Sequence, residues 1–483
     1  MMETQSSQVA VTPTQEEEIR ARWAWAEPSV WTDRMLAALE SGVKGGKWFS
    51  LVDKVWNPAN LRASWEKVHA NKGGSGVDGQ TVHEYEKRLE SELGILSEQL
   101  RADRYVPQPV RRTWIPKPGS NEKRPLGIPA VRDRVVQGAL RHVMEPIFER
   151  IFAEHSYGFR PGRGCKDALR RVDALLKGGR TWVVDADLKG YFDTIPHDRL
   201  MALVEEQIAD GRVLALIRGY LKQGIMDGLK EWEPESGTPQ GAVVSPLLAN
   251  LYLNPLDHQM AAKGFEMVRY ADDFVILCHS REEAENALSL VQAWVTQVGL
   301  ILHPEKTRIV SEAEGFDFLG YHFERGHHWP RKKSLTKFRD GIRDLTRRAN
   351  GKSLDETIAK LNSKLRGWYG YFKHSYKHTF NKQDGWIRRR LRTILNKREG
   401  RSRWKVTKND HQRWPNAYFH AQGLFSLTTA HATECQSLYD RAIINWRAGC
   451  GKSASPVRRE GRCKPMYRSY PYRIRGLCKG LES

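Results

Sequence analysis

The segment Met267-Val-Arg-Tyr-Ala-Asp-Asp-Phe-Val-Ile-Leu-Cys278 decides how this chain folds. Its two apolar runs, Met267–Tyr270 and Phe274–Cys278, have the β-branched and aromatic composition of strands. Only Ala271-Asp-Asp273 separates them, so the two runs can pair as a hairpin. The sequence therefore predicts an antiparallel hairpin that carries two carboxylates at its tip.

A second acid-ended strand precedes the hairpin. Thr181-Trp-Val-Val-Asp-Ala-Asp187 is apolar until its acids, as a buried strand that ends at a functional edge would be. If Asp187 lies beside the hairpin tip, its oxygens converge with those of Asp272 and Asp273. Such hard ligands suit Mg²⁺, and two ions about 3.5–4 Å apart would activate a 3′-hydroxyl and stabilise a leaving pyrophosphate. The alternative is a solvated turn, since Asp is an ordinary turn residue.

The flanking sequence predicts an α+β fold. Residues 23–100 are predicted as short helices broken at the glycine cluster Lys72–Gly79, and Thr113–Ile115 and Arg124–Pro129 as two strands. One amphipathic helix follows the hairpin and stops at Gly299, because apolar residues recur at helical spacing at Leu288, Val291, Val295 and Val298. We therefore expect an antiparallel sheet with helices behind it.

The chain after about Pro330 is predicted to be all-helical. Ser353 and Glu356 fit a capping box at the start of one helix, whose apolar seam is Leu354, Ile358, Leu361, Leu365, Trp368 and Phe372. A second helix has Leu391, Ile394 and Leu395 inward. Basic residues surround that seam, namely Arg388, Arg389, Arg390, Arg392, Lys397 and Arg398.

Charge is distributed unevenly along the chain. The 78 Lys and Arg against 57 Asp and Glu give a net charge of +21 over 483 residues. Residues 331–483 hold 37 of the basic and only 11 of the acidic side chains, so the remainder is slightly acidic. This balance indicates a polyanionic partner that is bound mainly by the last third of the chain.

Several classes of protein are excluded. The length implies more than one domain. Six cysteines without a Cys-x-x-Cys pair indicate neither a disulfide framework nor a zinc module, and they favour a reducing compartment. The first twenty residues are predicted to be a disordered leader, since they have neither the apolar core of a signal peptide nor the basic character of a transit peptide. The longest uncharged run, Ser236–Leu256, contains three prolines, so we expect no membrane helix.

The motifs resemble those of a known family. Tyr270-Ala-Asp-Asp273 is similar to the signature of reverse transcriptases, and Asp187-Leu-Lys-Gly-Tyr-Phe-Asp193 to their first metal-binding motif. Other segments follow the order of bacterial group II intron reverse transcriptases, the intron-encoded maturases. They are Asn71–Gly79, Arg124–Pro129, Ser156–Arg163, Gly237–Gly241, His303–Thr307 and Phe318–Tyr321, with Leu365–Phe372, Trp414–Phe419 and Gly423–Leu427 resembling the maturase-specific region. The resemblance covers about residues 60–430.

The resemblance implies the catalytic residues. Asp187, Asp272 and Asp273 would hold two Mg²⁺ ions, with Mn²⁺ as a substitute and the Leu188 carbonyl as a further ligand. Asp185 and Asp193 flank the first motif and are interpreted as capping or turn acids.

The resemblance also implies a nucleotide site. Lys117 and Arg124, with Lys123 as a rival, would neutralise the incoming triphosphate. Phe192 fits the aromatic steric gate that excludes a ribose 2′-hydroxyl, against the alternative of core packing. Gln240 would hydrogen-bond the nascent pair, and Gly241 would let the backbone approach closely. Lys306 would protonate pyrophosphate, unless it is an ordinary surface lysine.

Nucleic-acid contacts come from two further places. Tyr270 is expected to pack beneath the hairpin and touch the primer. The basic helix is expected to hold the RNA–DNA duplex by its phosphates, through Arg388, Arg389, Arg390 and Arg392. The partners implied are an intron RNA template, a DNA primer or target and dNTPs.

The expected architecture is a right-hand polymerase. It comprises a leader and helical extension (1–60), fingers (61–180), a palm with the catalytic site (181–329), a helical thumb and maturase domain (330–410) and a basic C-terminal region with a tail (411–483). The paired cysteines and histidines of the family's endonuclease domain are missing, so the chain resembles the endonuclease-lacking branch. We therefore expect a bacterial cytoplasmic RNA-directed DNA polymerase that also promotes intron splicing and mobility. The alternatives are a domesticated reverse transcriptase in repair or phage defence and a non-catalytic splicing factor.

Overall fold

The computed structural model describes residues 13–116, 123–348, 351–401 and 407–437. The helices predicted for residues 23–100 are present, but a helix also covers Pro13–Arg22, so the prediction of a disordered leader is wrong for residues 13–20. The helices are α1 (Pro13–Arg22), α2 (Asp33–Ser41), α3 (Val52–Val55), α4 (Pro58–Asn71), α5 (Val82–Glu86) and α6 (Leu89–Arg101). Helix α4 ends where the glycine cluster begins, at Lys72 in the left-handed conformation.

Strands and helices alternate irregularly between residues 110 and 330. The strands are β1 (Val110–Pro116), β2 (Lys123–Ile128), β3 (Trp182–Asp187), β4 (Ile225–Asp227), β5 (Lys230–Trp232), β6 (Glu266–Tyr270), β7 (Asp273–Cys278), β8 (Arg308–Ser311), β9 (Phe316–Phe318), β10 (Tyr321–Glu324) and β11 (His327–Pro330). The helices between them are α7 (Val131–Glu149), α8 (Cys165–Lys177), α9 (Tyr191–Thr194), α10 (His197–Gln207), α11 (Gly211–Leu221), α12 (Ser245–Ala262) and α13 (Arg281–Gln297).

The sheet that carries the hairpin has the order β6-β7-β3-β8 and is antiparallel throughout. Its strands are apolar because both faces are covered. On one face, Val184 and Ile276 pack with residues of α12 and α13. On the other face, Val183 and Val275 pack with α8. The predicted strand before Asp187 and the predicted helix after the hairpin are both confirmed.

Two further sheets complete this part. Strands β1 and β2, both predicted from the sequence, pair antiparallel and belong to a sheet of order β2-β1-β4-β5. The loop between them, residues 117–122, lies outside the described residues. Strands β9, β10 and β11 form a three-stranded antiparallel sheet.

The N-terminal helices share the main hydrophobic core. Trp31, Leu39 and Val55 belong to the same cluster of buried side chains as Phe274 and Leu253. The predicted boundary at residue 60 therefore corresponds to no break in this core. Residues 23–55 contribute to the body that supports the hairpin.

The last described part is all-helical, with α14 (Lys332–Leu345), α15 (Leu354–Phe372), α16 (His378–Arg398), α17 (Lys408–Arg413), α18 (Asn416–Ala421) and helical residues 427–437. The Ser353–Glu356 capping box of α15 is present as predicted. One hydrophobic cluster joins these helices from Phe338 to Leu427, so the predicted boundary at residue 410 falls inside it. The predicted α+β class with an all-helical C-terminal section is confirmed. Among the described helices, none has the length and apolar character to span a membrane.

Candidate active site

Three carboxylates lie at one edge of the β6-β7-β3-β8 sheet. Asp187 ends β3 and is the register partner of Asp273, which begins β7. Asp272 lies in the two-residue turn between β6 and β7, because Tyr270 pairs with Asp273. The hairpin with an acidic tip is therefore confirmed, and the register brings the second acid-ended strand beside it.

Burial and the repulsion between neighbouring carboxylates disfavour the charged forms of Asp272 and Asp273. Burial raises the pKa of Asp273 to about 7, and the nearby charges of Asp185, Asp272 and Asp187 add to the effect. Burial also raises the pKa of Asp272; the charge of Asp187 reinforces this and that of Lys306 opposes it. A cation that binds beside these carboxylates would therefore stabilise their charged forms.

Lys306 supplies one such cation. Its ammonium donates a hydrogen bond to Oδ2 of Asp187, although the two residues are 119 positions apart. The turn that carries Lys306 is fixed beside β3, since the His303 amide donates to the Asp187 carbonyl at 2.8 Å. Leu188 is held at the same place by a bridge to Leu302. The structure thus places Lys306 directly on an acid of the predicted metal site.

The three acids have the ligand chemistry that divalent cations prefer, but their side chains do not form a ready coordination site. Three carboxylates are the hard oxygen donors that Mg²⁺ and Mn²⁺ prefer, and burial together with neighbouring negative charge raises the pKa of Asp272 and of Asp273. Within the described residues, however, no group of three or more His, Cys, Asp or Glu side chains is arranged to hold a metal ion. The hydrogen bond from Lys306 engages Oδ2 of Asp187, one of these oxygens.

A cleft of about 620 Å³ lies between the β2-β1-β4-β5 sheet and the loop Glu233–Gln240. Phe192, on α9, and Gln240 both line it, so the structure brings these two predicted nucleotide-binding residues together. Arg124 lies exposed on β2 and is not part of this lining. Lys117 falls outside the described residues.

Sequence reasoning missed two residues of this cleft. The guanidinium of Arg112 lies 4.7 Å from the ring centroid of Trp232 and 5.5 Å from that of Trp114. Arg112 and Trp232 both line the cleft. Alternation along β1 places Arg112 and Trp114 on one face, which the sequence could have shown. The approach of Trp232 depends on the parallel pairing of β1 with β4, which local sequence does not encode.

Gly241 makes a close backbone approach, and its partner is strand β2. The Gly127 amide donates to the Gln240 carbonyl at 2.6 Å. Gly241 has φ +109°, and a Cβ there would lie 2.3 Å from the Gly127 carbonyl oxygen. Glycine at position 241 therefore allows the loop that carries Gln240 to pack against β2.

We expect Gly241→Ala to destabilise the loop and widen the cleft. The change adds both left-handed strain and a backbone clash, together about 2 kcal/mol or more. Gly228→Ala is the matched control, because Gly228 has φ +64° with nothing within 4 Å of the added Cβ. Thermal denaturation of the two variants measures the difference. Equal melting temperatures would contradict the close-packing role.

Tyr270 lies at the base of the hairpin tip. Its ring is partly buried, 6.4 Å from that of Phe159, and packs on the cluster that includes Val268. Hydrogen bonding to Cys165 and burial raise the pKa of Tyr270 to about 12. Its hydroxyl therefore stays protonated at neutral pH.

The structure corrects the prediction for Arg392. This side chain is 2% exposed, its Nε donates to the Trp414 carbonyl at 2.9 Å, and its Nη2 donates to Asn416 at 3.0 Å. The guanidinium joins α16 to the segment around α18, so it is not available to a phosphate.

The other three arginines of α16 differ in exposure. Arg390 is partly buried and donates to Oγ1 of Thr346 at 2.5 Å. Arg388 is partly buried beside Asp384, at 4.0 Å. Arg389 is fully on the surface. Of the four predicted duplex-binding arginines, Arg389 is therefore the one best placed to meet a phosphate.

Two family models match the chain in tandem. The model described as reverse transcriptase (RNA-dependent DNA polymerase) matches residues 115–323, which include the three acids, the hairpin and most residues of the cleft. The model described as group II intron, maturase-specific domain matches residues 335–414, which lie in the helical part. The palm-like sheet and its acids thus belong to a reverse transcriptase domain followed by a maturase domain.

Individual proteins are also similar to this chain. Protein YkfC of Escherichia coli is 35% identical over 346 residues, covering 63% of this chain and 86% of that protein. The group II intron-encoded protein LtrA of Lactococcus lactis is 39% identical over 196 residues, covering 40% of this chain and 32% of LtrA. A solved chain of a Cas6-RT-Cas1–Cas2 complex is 26% identical over 52% of this chain and 42% of that chain, with a TM-score of 0.34. The chain belongs to the family of group II intron reverse transcriptases and maturases, as the sequence motifs indicate.

Proposed function

We propose that this chain is an RNA-directed DNA polymerase that also binds a group II intron RNA and promotes its splicing and mobility. The observation that supports the polymerase most strongly is the pairing of Asp187 with Asp273, beside Asp272 in the turn. The reverse transcriptase match spans this arrangement. The chain spans only about a third of LtrA, so the activities of a whole intron-encoded protein are part of the proposal.

The three acids would hold two divalent cations, Mg²⁺ or Mn²⁺, with the carbonyl of Leu188 as a further ligand. Such ions would lower the pKa of the primer 3′-hydroxyl and stabilise the negative charge on the departing pyrophosphate. Asp187 then needs its oxygens for the metal, which leaves the ammonium of Lys306 without its present acceptor. Lys306 lies against Asp187, and from there it would serve as the general acid for the departing pyrophosphate.

The cleft would hold the incoming dNTP. Phe192 and Gln240 both line it; the flat ring of Phe192 would face the sugar, and Gln240 would face the nascent base pair. The triphosphate would be neutralised by Arg124, which lies on β2, and by Lys117. Tyr270 would contact the primer end.

The helical part would bind nucleic acid through its phosphates. Residues 331–483 contribute 37 basic side chains, and the maturase match lies within them. Binding of intron RNA by this part is tested by splicing of a group II intron transcript with and without the protein. Unchanged splicing in its presence would reject the maturase role while leaving the polymerase proposal intact.

Replacing Arg389 with alanine is expected to weaken duplex binding in a salt-dependent way. Loss of one phosphate contact lowers the slope of log K against log salt by about 1. Fluorescence anisotropy with an RNA–DNA duplex between 50 and 200 mM salt, the range over which such contacts lose most affinity, measures it. Arg88→Ala, an exposed arginine in the N-terminal part, serves as control. An unchanged slope for Arg389→Ala would place the duplex elsewhere.

A domesticated reverse transcriptase in repair or phage defence would use the same active site. The sequence around the gene separates the two roles, because a maturase is encoded within a structured intron. A non-catalytic splicing factor is disfavoured, since all three acids are present, with Asp187 paired to Asp273 in the register and Asp272 in the adjoining turn.

A further inference from the structure

We propose that Arg269, Asp257 and Asn250 form a positioning clamp that holds the turn bearing Asp272, with the Gly158 backbone as its outer wall. This inference rests on the proposed polymerase function and adds positioning residues to it. It also gives a role to the Ser156–Arg163 motif, which the polymerase mechanism leaves unused.

Arg269 is a fully buried cation at the end of β6. Its side chain is 0% exposed, and Nε donates to both oxygens of Asp257, at 2.8 and 3.0 Å. Asp257 lies on α12, so the ion pair joins the hairpin to the helix behind it. A buried charge persists only when it is paired and hydrogen-bonded, and here every arm of the guanidinium has a partner.

The remaining arm of the guanidinium reaches the catalytic turn. Nη1 donates to the Ala271 carbonyl at 2.9 Å and to Oδ1 of Asn250 at 3.0 Å. The Ala271 carbonyl and the Asp272 amide belong to one planar peptide unit. Fixing that carbonyl therefore fixes the peptide from which the Asp272 side chain projects.

The turn needs such a restraint. Ala271 has φ +59°, a left-handed conformation that residues other than glycine rarely adopt. Without the hydrogen bond from Arg269, the turn would relax toward other conformations. The clamp thus keeps a strained residue in place beside a metal-binding acid.

The backbone of Gly158 packs directly against the turn at Ala271. The Tyr157 amide donates to the Arg269 carbonyl at 2.8 Å, so this segment runs along the free edge of β6. Asn250 donates to the Gly158 carbonyl at 2.6 Å. A Cβ on Gly158 would lie 2.4 Å from the Ala271 nitrogen, so only glycine lets the two backbones meet.

A buried ion pair can also be purely structural. The contact with Ala271 separates the two roles, because a core-stabilising arginine has no need to bind the turn. Misplacement of a catalytic group by about 1 Å costs about a hundredfold in rate. Loosening the clamp should therefore reduce chemistry far more than nucleic-acid binding.

The test compares Arg269→Lys with wild type. Lysine keeps the charge beside Asp257 but cannot bind Asp257, Asn250 and Ala271 together. We expect kcat for single-nucleotide incorporation to fall about a hundredfold, with KM for dNTP and Kd for primer–template within about threefold of wild type. Arg392→Lys, which alters a buried arginine in the helical part, should lower the melting temperature without this split between kcat and KM.

A rescue variant distinguishes positioning from loss of fold. Glycine adopts φ +59° without strain, so Ala271→Gly added to Arg269→Lys should recover at least tenfold in kcat. Gly158→Ala, which presses on the turn from outside, should reproduce the loss of kcat with Arg269 intact. A full rate in Arg269→Lys, or a loss that Ala271→Gly does not relieve, would overturn the clamp. An inactive wild type in the same assay would instead reject the proposed function.

Discussion

Replacing Asp187 with alanine is expected to reduce the rate of nucleotide incorporation on an RNA template by about a thousandfold or more. A coordinated cation contributes several kcal/mol of transition-state stabilisation, and each 1.36 kcal/mol corresponds to a factor of ten. Asp187 is opposite Asp273 in the register and is the acid that holds Lys306, so its removal affects both the metal site and the lysine. Single-turnover primer extension at saturating dNTP measures the loss.

The same variant should bind primer–template at least as tightly as wild type. Loss of the Asp187 carboxylate removes a negative charge and leaves the ammonium of Lys306 available to bind a phosphate. Asp198→Ala is the matched control, because Asp198 is an exposed acid in the first turn of the neighbouring helix α10 and should leave the rate unchanged. An Asp187→Ala enzyme that extends at the wild-type rate would show that the acid does not act in catalysis.

Replacing Phe192 with alanine is expected to admit ribonucleotides. The Phe192 ring lines the cleft and packs against Tyr191, with ring centroids 5.6 Å apart. Its carbonyl accepts a hydrogen bond from Thr238 at 2.6 Å, which ties it to the loop of Gln240. A hydrophobic wall rejects one added hydroxyl by about a hundredfold, so the ratio of kcat/KM for dNTP over rNTP should fall by about that factor.

Phe265→Ala is the control for the loss of a partly buried ring. Phe265 packs against the same hydrophobic cluster as Phe192 but does not line the cleft. It should lower stability without changing the choice of sugar. If Phe192→Ala kept the wild-type ratio and lost only stability, Phe192 would be a core residue, which is the alternative that its sequence leaves open.

The elements that the sequence predicted well are those with local causes. The hairpin tip, the strand before Asp187 and the Ser353–Glu356 capping box all follow from residue type and spacing over a few positions. The position of the three acids at one end of the sheet also followed, because a strand and a hairpin of one sheet can meet at the same edge.

The features that could not be predicted depend on contacts between distant segments. Helical periodicity around Leu391 gives no sign that Asn416 and the Trp414 carbonyl bind Arg392, so this arginine is buried rather than presented to a duplex. The contact of Lys306 with Asp187 and the seat of Gly241 on β2 likewise join segments more than a hundred residues apart.

The contacts of Arg269 could not be predicted from the sequence for the same reason. An arginine within an apolar strand, next to Tyr270, stands out in the sequence but has no visible partner there. Asn250 and Asp257 lie on the preceding helix, and Gly158 lies more than ninety residues earlier. Only the fold brings these groups to the turn that carries Asp272.

The central claim is that the chain copies RNA into DNA at the Asp187, Asp272 and Asp273 edge. The most direct test is extension of a DNA primer annealed to an RNA template by the purified chain with dNTPs and Mg²⁺, with Asp272→Ala beside it. We predict full-length DNA product from wild type and none from Asp272→Ala, although both bind the duplex equally. Equal extension by the two proteins, or no extension by wild type with either Mg²⁺ or Mn²⁺, would contradict it.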